Sequence, residues 1–136
     1  MLLFEDPTDS ELESLYRGCL FTLFPSLYEG WGLPVTESLA LGKPCVASKS
    51  TSIPEAGGQL AIYFDPDNLE EAHHVIRAVI EDRPGLARWE QKVMREFRAR
   101  PWQESADAIL ESFGIKSHGN VVEASEASWS ANGRVL

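Results

Sequence analysis

The stretch Glu29-Gly30-Trp31-Gly32-Leu33-Pro34-Val35-Thr36-Glu37 sets two glycines and a proline between two carboxylates. Proline is favoured in the first turn of a helix, and the helical pattern that follows ends at Gly42. Glycines let the main chain approach a ligand closely, and a helix N-terminus attracts an anion. Carboxylates also accept hydrogen bonds from sugar hydroxyls. The stretch therefore predicts a strand-to-helix connection that either binds a nucleotide sugar or has a structural role alone.

Short apolar runs around this stretch predict a parallel sheet. Residues 20–24 form a nearly continuous apolar run, typical of a strand that is covered on both faces. Residues 44–48 supply a second strand after the predicted helix 34–41, which completes a strand–helix–strand unit. In such units the ligand crevice lies at the carboxyl ends of the strands. The glycine loop, residues 25–34, is expected at that edge.

The remaining sheet pattern is weaker. Residues 61–64 predict a third strand, and residues 2–5 are a candidate for a fourth. Between the second and third strands, residues 51–58 are rich in turn-forming types. With so few strands we expect an exposed sheet edge and an uncovered apolar face, both of which favour association with another chain.

Capping signals and periodicity predict four further helices. Thr8 and Glu11 form a capping box at the start of the first one. Asn68 caps another, and residues 86–97 and 102–113 repeat apolar side chains at intervals of three and four. The helix that begins at the capping box is expected to carry one apolar stripe, formed by Leu12, Leu15, Tyr16 and Cys19. The pattern predicts an α/β domain with a helical C-terminal segment.

Length, composition and charge limit the function. A chain of 136 residues with 43% hydrophobic and 24% charged residues is typical of one globular domain. We expect this domain in residues 1–113 and a poorly ordered tail in residues 114–136. The net charge of −9 argues against nucleic acid as a partner, because such binding needs clustered Lys and Arg. No apolar stretch approaches the roughly 20 residues that span a bilayer, so a cytoplasmic location is expected.

Other residue types that often carry chemistry receive a structural interpretation. Cys19 and Cys45 lie in apolar surroundings and are expected to be buried free thiols. His73 and His74 have no spaced second ligand, so no metal site is predicted. A basic run is formed by Arg88, Lys92, Arg95, Arg98 and Arg100. We expect it to be a solvated helix face, with peripheral contact to an anionic membrane as the alternative.

Residues 24–48 carry a family resemblance and read FPSLYEGWGLPVTESLALGKPCVAS. This run resembles the donor-binding segment of family 4 glycosyltransferases, which are retaining enzymes of GT-B fold. The resemblance continues through Ser52-Ile53-Pro54-Glu55, the Tyr63-Phe64-Asp65-Pro66 turn and Trp102, and so covers roughly residues 2 to 113. It differs at Trp31, where the family more often has Phe. The implied fold is a Rossmann-like parallel sheet flanked by helices, the C-terminal half of a GT-B fold.

The resemblance also implies a chemistry. It implies transfer of a glycosyl group, of hexosyl type, from a nucleoside diphosphate sugar with retention of configuration and without a metal or other cofactor. Glu29 matches the catalytic glutamate that hydrogen-bonds the donor sugar, and Glu37 matches the glutamate that holds the ribose hydroxyls. The donor-binding residues implied between and beside them are Gly30, Trp31, Gly32, Leu33, Pro34 and Val35.

The same resemblance implies that this chain is a partial transferase. In the family the acceptor is held largely by an N-terminal domain, and an Arg and a Lys upstream of the glutamates neutralise the diphosphate. Lys43 and Lys49 match neither position and are expected to be solvated loop residues. We therefore expect little or no turnover from the isolated chain, and a separate N-terminal half or a second copy of the chain as its partner.

Two other functions remain open at this point. One is a non-catalytic module that binds a nucleotide sugar, or an inactive remnant that keeps the fold. The other is a different enzyme of GT-B architecture, such as a sugar-nucleotide epimerase. The Gly-Trp-Gly-Leu-Pro spacing between the two glutamates favours a transferase over an epimerase.

Overall fold

Three parallel strands in the order β1-β2-β3 form the sheet. The computed structural model describes residues 3–99 and 102–114. In it the strands are β1 (Thr22–Phe24), β2 (Cys45–Ser48) and β3 (Ala61–Phe64). Their register aligns Leu23 with Val46, and Val46 with Ile62. The predicted α/β fold with a parallel sheet flanked by helices is confirmed.

The described residues contain six helices. They are α1 (Asp9–Gly18), α2 (Leu33–Ala40), α3 (Ile53–Gly57), α4 (Leu69–Glu81), α5 (Arg83–Glu96) and α6 (Trp102–Ser112). The chain divides into two compact units between Ala99 and Arg100, so that α6 belongs to the second unit. Gly114 follows α6 with a positive φ of 72°, a common helix-ending conformation. The predicted tail lies outside the described residues from residue 115 onward.

Local capping signals placed the starts of α1 and α4 correctly, whereas α5 begins at Arg83, three residues before its predicted start. The backbone N–H of Thr8 donates to Glu11 Oε2 at 2.9 Å, and Glu11 N–H donates to the Thr8 hydroxyl at 3.4 Å. The capping box predicted for α1 is thus confirmed. At α4 the side chain of Asn68 accepts a hydrogen bond from Glu71 N–H at 3.0 Å. Each cap satisfies backbone donors that the first helical turn leaves unpaired.

The sheet has an apolar cluster on each face, because strand side chains alternate between the two faces. On one face α2, α3 and α5 pack against β2. The buried residues there are Val35, Leu39, Cys45, Ala47, Ile53 and Val93. On the other face α4 and the start of α5 cover the central and third strands. The buried residues there are Val46, Phe64, Ala72, Val79 and Leu86. Helix α2, which carries the second glutamate, is therefore anchored in the core.

Strand β1 is not covered on both faces, contrary to the prediction for residues 20–24. Leu23 is 47% exposed, although its register partner Val46 is fully buried. The reason is position, because among the described residues β1 pairs with β2 alone and forms an edge of the sheet. The expected exposed edge is thus present. Residues 3–5 form no strand, and Leu2 lies outside the described residues.

Two other predictions need correction. The turn-rich segment 51–58 contains helix α3, with Pro54 in its first turn and Ile53 fully buried. Lys43 is not a solvated loop residue, because its side chain is only 14% exposed and its Nζ lies 2.6 Å from Glu90 Oε1 on α5.

The two cysteine thiols fit the prediction more closely. Cys45 is buried and Cys19 half-buried, both free, and burial raises the pKa of Cys45 to about 11.

Candidate functional site

The loops at the carboxyl edge of the sheet form the surroundings of Glu29, whereas Glu37 lies further along the chain on helix α2. Because the three strands are parallel, the loops that follow Phe24, Ser48 and Phe64 meet at this edge. The first of these loops carries Glu29 and leads into α2. The second, residues 49–52, leads into α3. The predicted position of the glycine loop at this edge is confirmed.

Glu29 is half-buried and held by hydroxyl groups of both loops. Its carboxylate accepts a hydrogen bond from Ser26 Oγ at 2.8 Å. Its backbone N–H donates to Thr51 Oγ1 at 3.0 Å, and its carbonyl accepts from Thr51 Oγ1 at 3.0 Å and from Ser52 Oγ at 2.9 Å. The hydroxyl of Ser48, at the end of β2, donates to the carbonyl of Ser26. The glycine loop is thereby tied to the neighbouring loop at several points.

Gly32 forms the junction between the loop and helix α2. Its φ of 96° lies in the left-handed region, where glycine is strongly favoured over other residues. A Cβ at this position would meet Ile53 Cγ1 at 3.5 Å, so the junction also lies against α3. The carbonyl of Gly32 accepts hydrogen bonds from Val35 N–H at 3.0 Å and Thr36 N–H at 3.4 Å. Within the described residues no side chain caps this helix start, which leaves it open for an anionic group.

Glu37 lies on the exposed side of α2, as its angular offset from the core residues Val35 and Leu39 predicts. Its Oε2 accepts a hydrogen bond from the Tyr16 hydroxyl of α1 at 3.0 Å. Burial and the charge of Glu37 both raise the pKa of Tyr16, so this tyrosine is a neutral donor at physiological pH. The sequence suggested only an apolar role for Tyr16. Its phenol group was the available signal, since a half-buried tyrosine usually hydrogen-bonds through its hydroxyl.

The other predicted donor-binding residues differ in what they expose. Trp31 and Leu33 are 47% and 45% exposed, and Gly30 has open space around its Cα. Pro34 is half-buried, whereas Val35 is fully buried and its N–H is already bonded within the helix. The accessible surface of the segment is therefore formed by Gly30, Trp31 and Leu33, together with the two carboxylates, whereas Gly32 is buried.

Each of the two lysines near the motif forms an ion pair with a carboxylate of the protein. Lys49 follows β2 at the same sheet edge, and its Nζ lies 3.1 Å from Asp65 Oδ2, which follows β3. A hydrogen bond from Asp67 N–H and the pairing with Lys49 lower the pKa of Asp65. Lys49 is half exposed, as predicted, while Lys43 pairs with Glu90. Both lysines thus have carboxylate partners within the protein.

A concave surface lies beside the motif, next to helix α1. A groove of about 350 Å³ runs between α1 and β1, with Tyr16 and Pro34 in its wall. Its lining also contains the predicted apolar stripe of α1. In the described part of the chain, no three or more His, Cys, Asp or Glu side chains come together as metal ligands. None of the described helices has the length and apolar character required to cross a membrane.

The fold and the motif together define a class: a parallel α/β domain with a glycine-containing strand-to-helix connection at the carboxyl edge of its first strand. Residues 1–95 match the family described as Glycosyl transferases group 1. Because the match covers more than half of the chain, the protein belongs to this family. The identification as a glycosyltransferase domain is thus confirmed.

Several curated relatives are mannosyltransferases by name. The chain is 29% identical over 106 residues to the serotype-specific mannosyltransferase WbdA of Escherichia coli, covering 78% of this chain and 13% of that protein. It is 35% identical over 75 residues to O-antigen chain mannosyltransferase B of Escherichia coli, covering 54% and 20%. It is 33% identical over 84 residues to the MMP alpha-(1->4)-mannosyltransferase of Mycolicibacterium hassiacum, covering 60% and 20%. The chain thus spans a fifth or less of these relatives' lengths.

Proposed function

We propose that this chain is the donor-binding part of a retaining family 4 glycosyltransferase, which holds a nucleoside diphosphate sugar while its glycosyl group passes to an acceptor. The observation that carries the proposal is the segment from Glu29 to Glu37. It combines two accessible carboxylates with a helix N-terminus that no described side chain caps, at the carboxyl edge of a parallel sheet. Membership of the glycosyl transferases group 1 family supports the reaction class.

Glu37 is proposed to bind the ribose of the donor nucleotide. Its carboxylate is exposed, and Tyr16 engages only Oε2 among the described contacts. An ionised carboxylate has about four acceptor positions, so ample capacity remains for two neighbouring hydroxyls. Glu29 is proposed as the catalytic glutamate beside the sugar. Ser26 bonds its Oε1, which leaves further acceptor positions for sugar hydroxyls.

The start of α2 is proposed to stabilise the diphosphate. Peptide dipoles place a partial positive charge at a helix N-terminus, and that charge favours the negative charge that develops on a leaving diphosphate. Because Val35 N–H already donates to Gly32 C=O and Pro34 has no N–H, the proposed main-chain donors belong to Leu33 and the residues before it. The catalytic contribution is orientation and charge stabilisation, and we propose that it needs neither a metal nor another cofactor.

A hexose is the proposed donor sugar, and mannose is the first one to test, because the names of several relatives specify mannosyl transfer. The base of the nucleotide is left open between guanine and uracil. We propose that the acceptor is held by a separate N-terminal half or by a second copy of the chain. Lys43 and Lys49 do not replace the cations implied by the resemblance, since both are paired with carboxylates. Little or no turnover is therefore expected from these 136 residues alone.

Titration with GDP-mannose and UDP-glucose, followed by NMR shifts or thermal stability, tests the proposal. The wild-type chain should bind at least one of them with and without EDTA. Glu37→Ala should weaken binding about ten- to hundredfold, equivalent to about 1.4–2.8 kcal/mol. Glu70→Ala removes another exposed helix carboxylate and should leave affinity unchanged. Failure of the wild type to bind either nucleotide sugar would contradict the proposal. Binding without turnover when a matching N-terminal half is supplied would favour a non-catalytic module.

A further inference from the structure

Thr51 adopts a backbone conformation that its side chain disfavours. Its φ is 47°, in the left-handed region that favours glycine. Positive φ is unusual for any residue with a Cβ and rarer for a β-branched one. Strained conformations of this kind persist where surrounding contacts hold them, and they concentrate at functional sites. The conformation of Thr51 therefore calls for a compensating contact.

The hydroxyl of Thr51 makes such a contact, and its partner is the main chain of Glu29. It accepts a hydrogen bond from Glu29 N–H and donates one to Glu29 C=O, each at 3.0 Å. Both polar groups of that residue's backbone are thus held by one side chain from the neighbouring loop. A glycine at position 51 would adopt the same φ without strain but would supply no hydroxyl. The strained threonine provides what the unstrained residue cannot.

We propose that Thr51 is a positioning residue for the catalytic glutamate Glu29. Glu29 lies in an irregular loop, so no helix or strand fixes its backbone. Its carboxylate direction then depends on the Ser26 contact and on the main chain that Thr51 and Ser52 hold. Carboxylate orientation determines which sugar hydroxyls can be bound. This inference rests on the proposed donor-binding function of Glu29 and adds the residue that fixes its geometry.

A first experiment needs no ligand and compares three chains by amide hydrogen exchange at Glu29. Thr51→Ser keeps the hydroxyl, and Thr51→Gly keeps the favoured φ but loses the hydroxyl. Glu29 N–H should exchange slowly in the wild type and in Thr51→Ser, and about tenfold faster or more in Thr51→Gly. The thermal midpoint of Thr51→Gly should stay within about 5 °C of the wild type, because relief of strain offsets the lost hydrogen bonds. Equal exchange at Glu29 in all three chains would overturn the proposed contact.

A second experiment measures the affinities for GDP-mannose and GDP in the same three chains. If the wild type binds the uridine nucleotide sugar instead, UDP-glucose and UDP are used. Thr51→Gly should weaken binding of the nucleotide sugar about tenfold and that of the nucleoside diphosphate less than about twofold. Glu29→Ala should give the same pattern, and Thr51→Ser should restore wild-type affinity. A purely structural role would weaken both ligands equally, and that result would overturn the inference.

The two experiments separate the inference from the proposed function. If the wild type binds no nucleotide, the proposed function is wrong, and so is the role of Thr51 in donor binding. The exchange result at Glu29 then still decides whether the Thr51 contact exists. If the wild type binds and Thr51→Gly retains full affinity despite faster exchange, the proposed function stands and the positioning role is wrong.

Discussion

Glu29 and Glu37 belong to one short motif, but different parts of the structure hold them. Glu29 lies in a loop, and hydroxyls of Ser26, Thr51 and Ser52 bond its carboxylate and main chain. Glu37 lies on a helix whose opposite side is buried through Val35 and Leu39. Its backbone is therefore fixed by the helix, and Tyr16 contacts only its carboxylate. A loop carboxylate thus needs several long-range contacts for an orientation that a helical carboxylate obtains from its own helix.

The junction between the two regions gives the largest expected effect, because Gly32 supports both. Gly32→Ala would force an L residue to a φ of 96°, which costs about 1–3 kcal/mol of unfolding free energy. Gly30→Ala is the matched control, since a Cβ there meets nothing within 4 Å and its φ is not positive. It should change stability by less than about 0.5 kcal/mol. Chemical denaturation measures both, and equal stability of the two variants would contradict the importance of this junction.

Removal of one side-chain hydrogen bond from each glutamate should change the affinities for GDP-mannose and GDP differently for the two glutamates. Ser26→Ala takes the bond from Glu29 and should weaken binding of GDP-mannose about threefold while leaving GDP unaffected. Tyr16→Phe takes the bond from Glu37 and should weaken both ligands equally, about threefold, because both contain ribose. Isothermal titration calorimetry on the two variants measures this contrast. Identical ligand profiles for Ser26→Ala and Tyr16→Phe would mean that the two glutamates do not bind different parts of the donor.

The smallest expected effect is a change in the pKa of Tyr16 when the charge of Glu37 is removed. The pKa of Tyr16 should lie above its ordinary value near 10, because the phenol is partly buried and lies beside a carboxylate. Glu37→Gln removes the charge and should lower this pKa, while burial keeps it above 10. Tyrosinate absorbance, with Tyr16→Phe subtracted, measures the shift. An unchanged pKa in Glu37→Gln would show that the Tyr16 contact is absent in solution.

The same shift predicts the pH dependence of stability. A pKa raised by folding means that the folded state keeps its proton longer than the unfolded chain. The contribution of neutral Tyr16 is therefore complete below about pH 10 and is lost as the pH rises above that value. The thermal midpoint of Tyr16→Phe should accordingly fall less steeply than that of the wild type in this range.

Several elements were predictable because their causes are local. The capping box at Thr8, the cap at Asn68 and the apolar run of β3 all depend on neighbouring residues. The position of the glycine loop followed from chain direction in a parallel strand–helix–strand unit. Helix α3 was missed because its five residues are too short for periodicity, although Pro54 in the first turn was an available signal.

Other features depended on residues far apart along the chain. The exposure of Leu23 follows from the edge position of β1, which strand order determines and the apolar run 20–24 does not reveal. The pairing of Lys43 with Glu90 follows from how α5 packs. Thr51 approaches Glu29 because two loops meet at one sheet edge.

Short-range chemistry was thus enough to place five of the six described helices, the three strands and both glutamates of the motif, because glycine conformation, capping and periodicity act over a few residues. Contacts between elements were required to assign Thr51 and Ser52 to Glu29 and Tyr16 to Glu37. These hydroxyl contacts exist only once the strands have paired and α1 has packed beside α2. For that reason no local pattern in the chain could predict them.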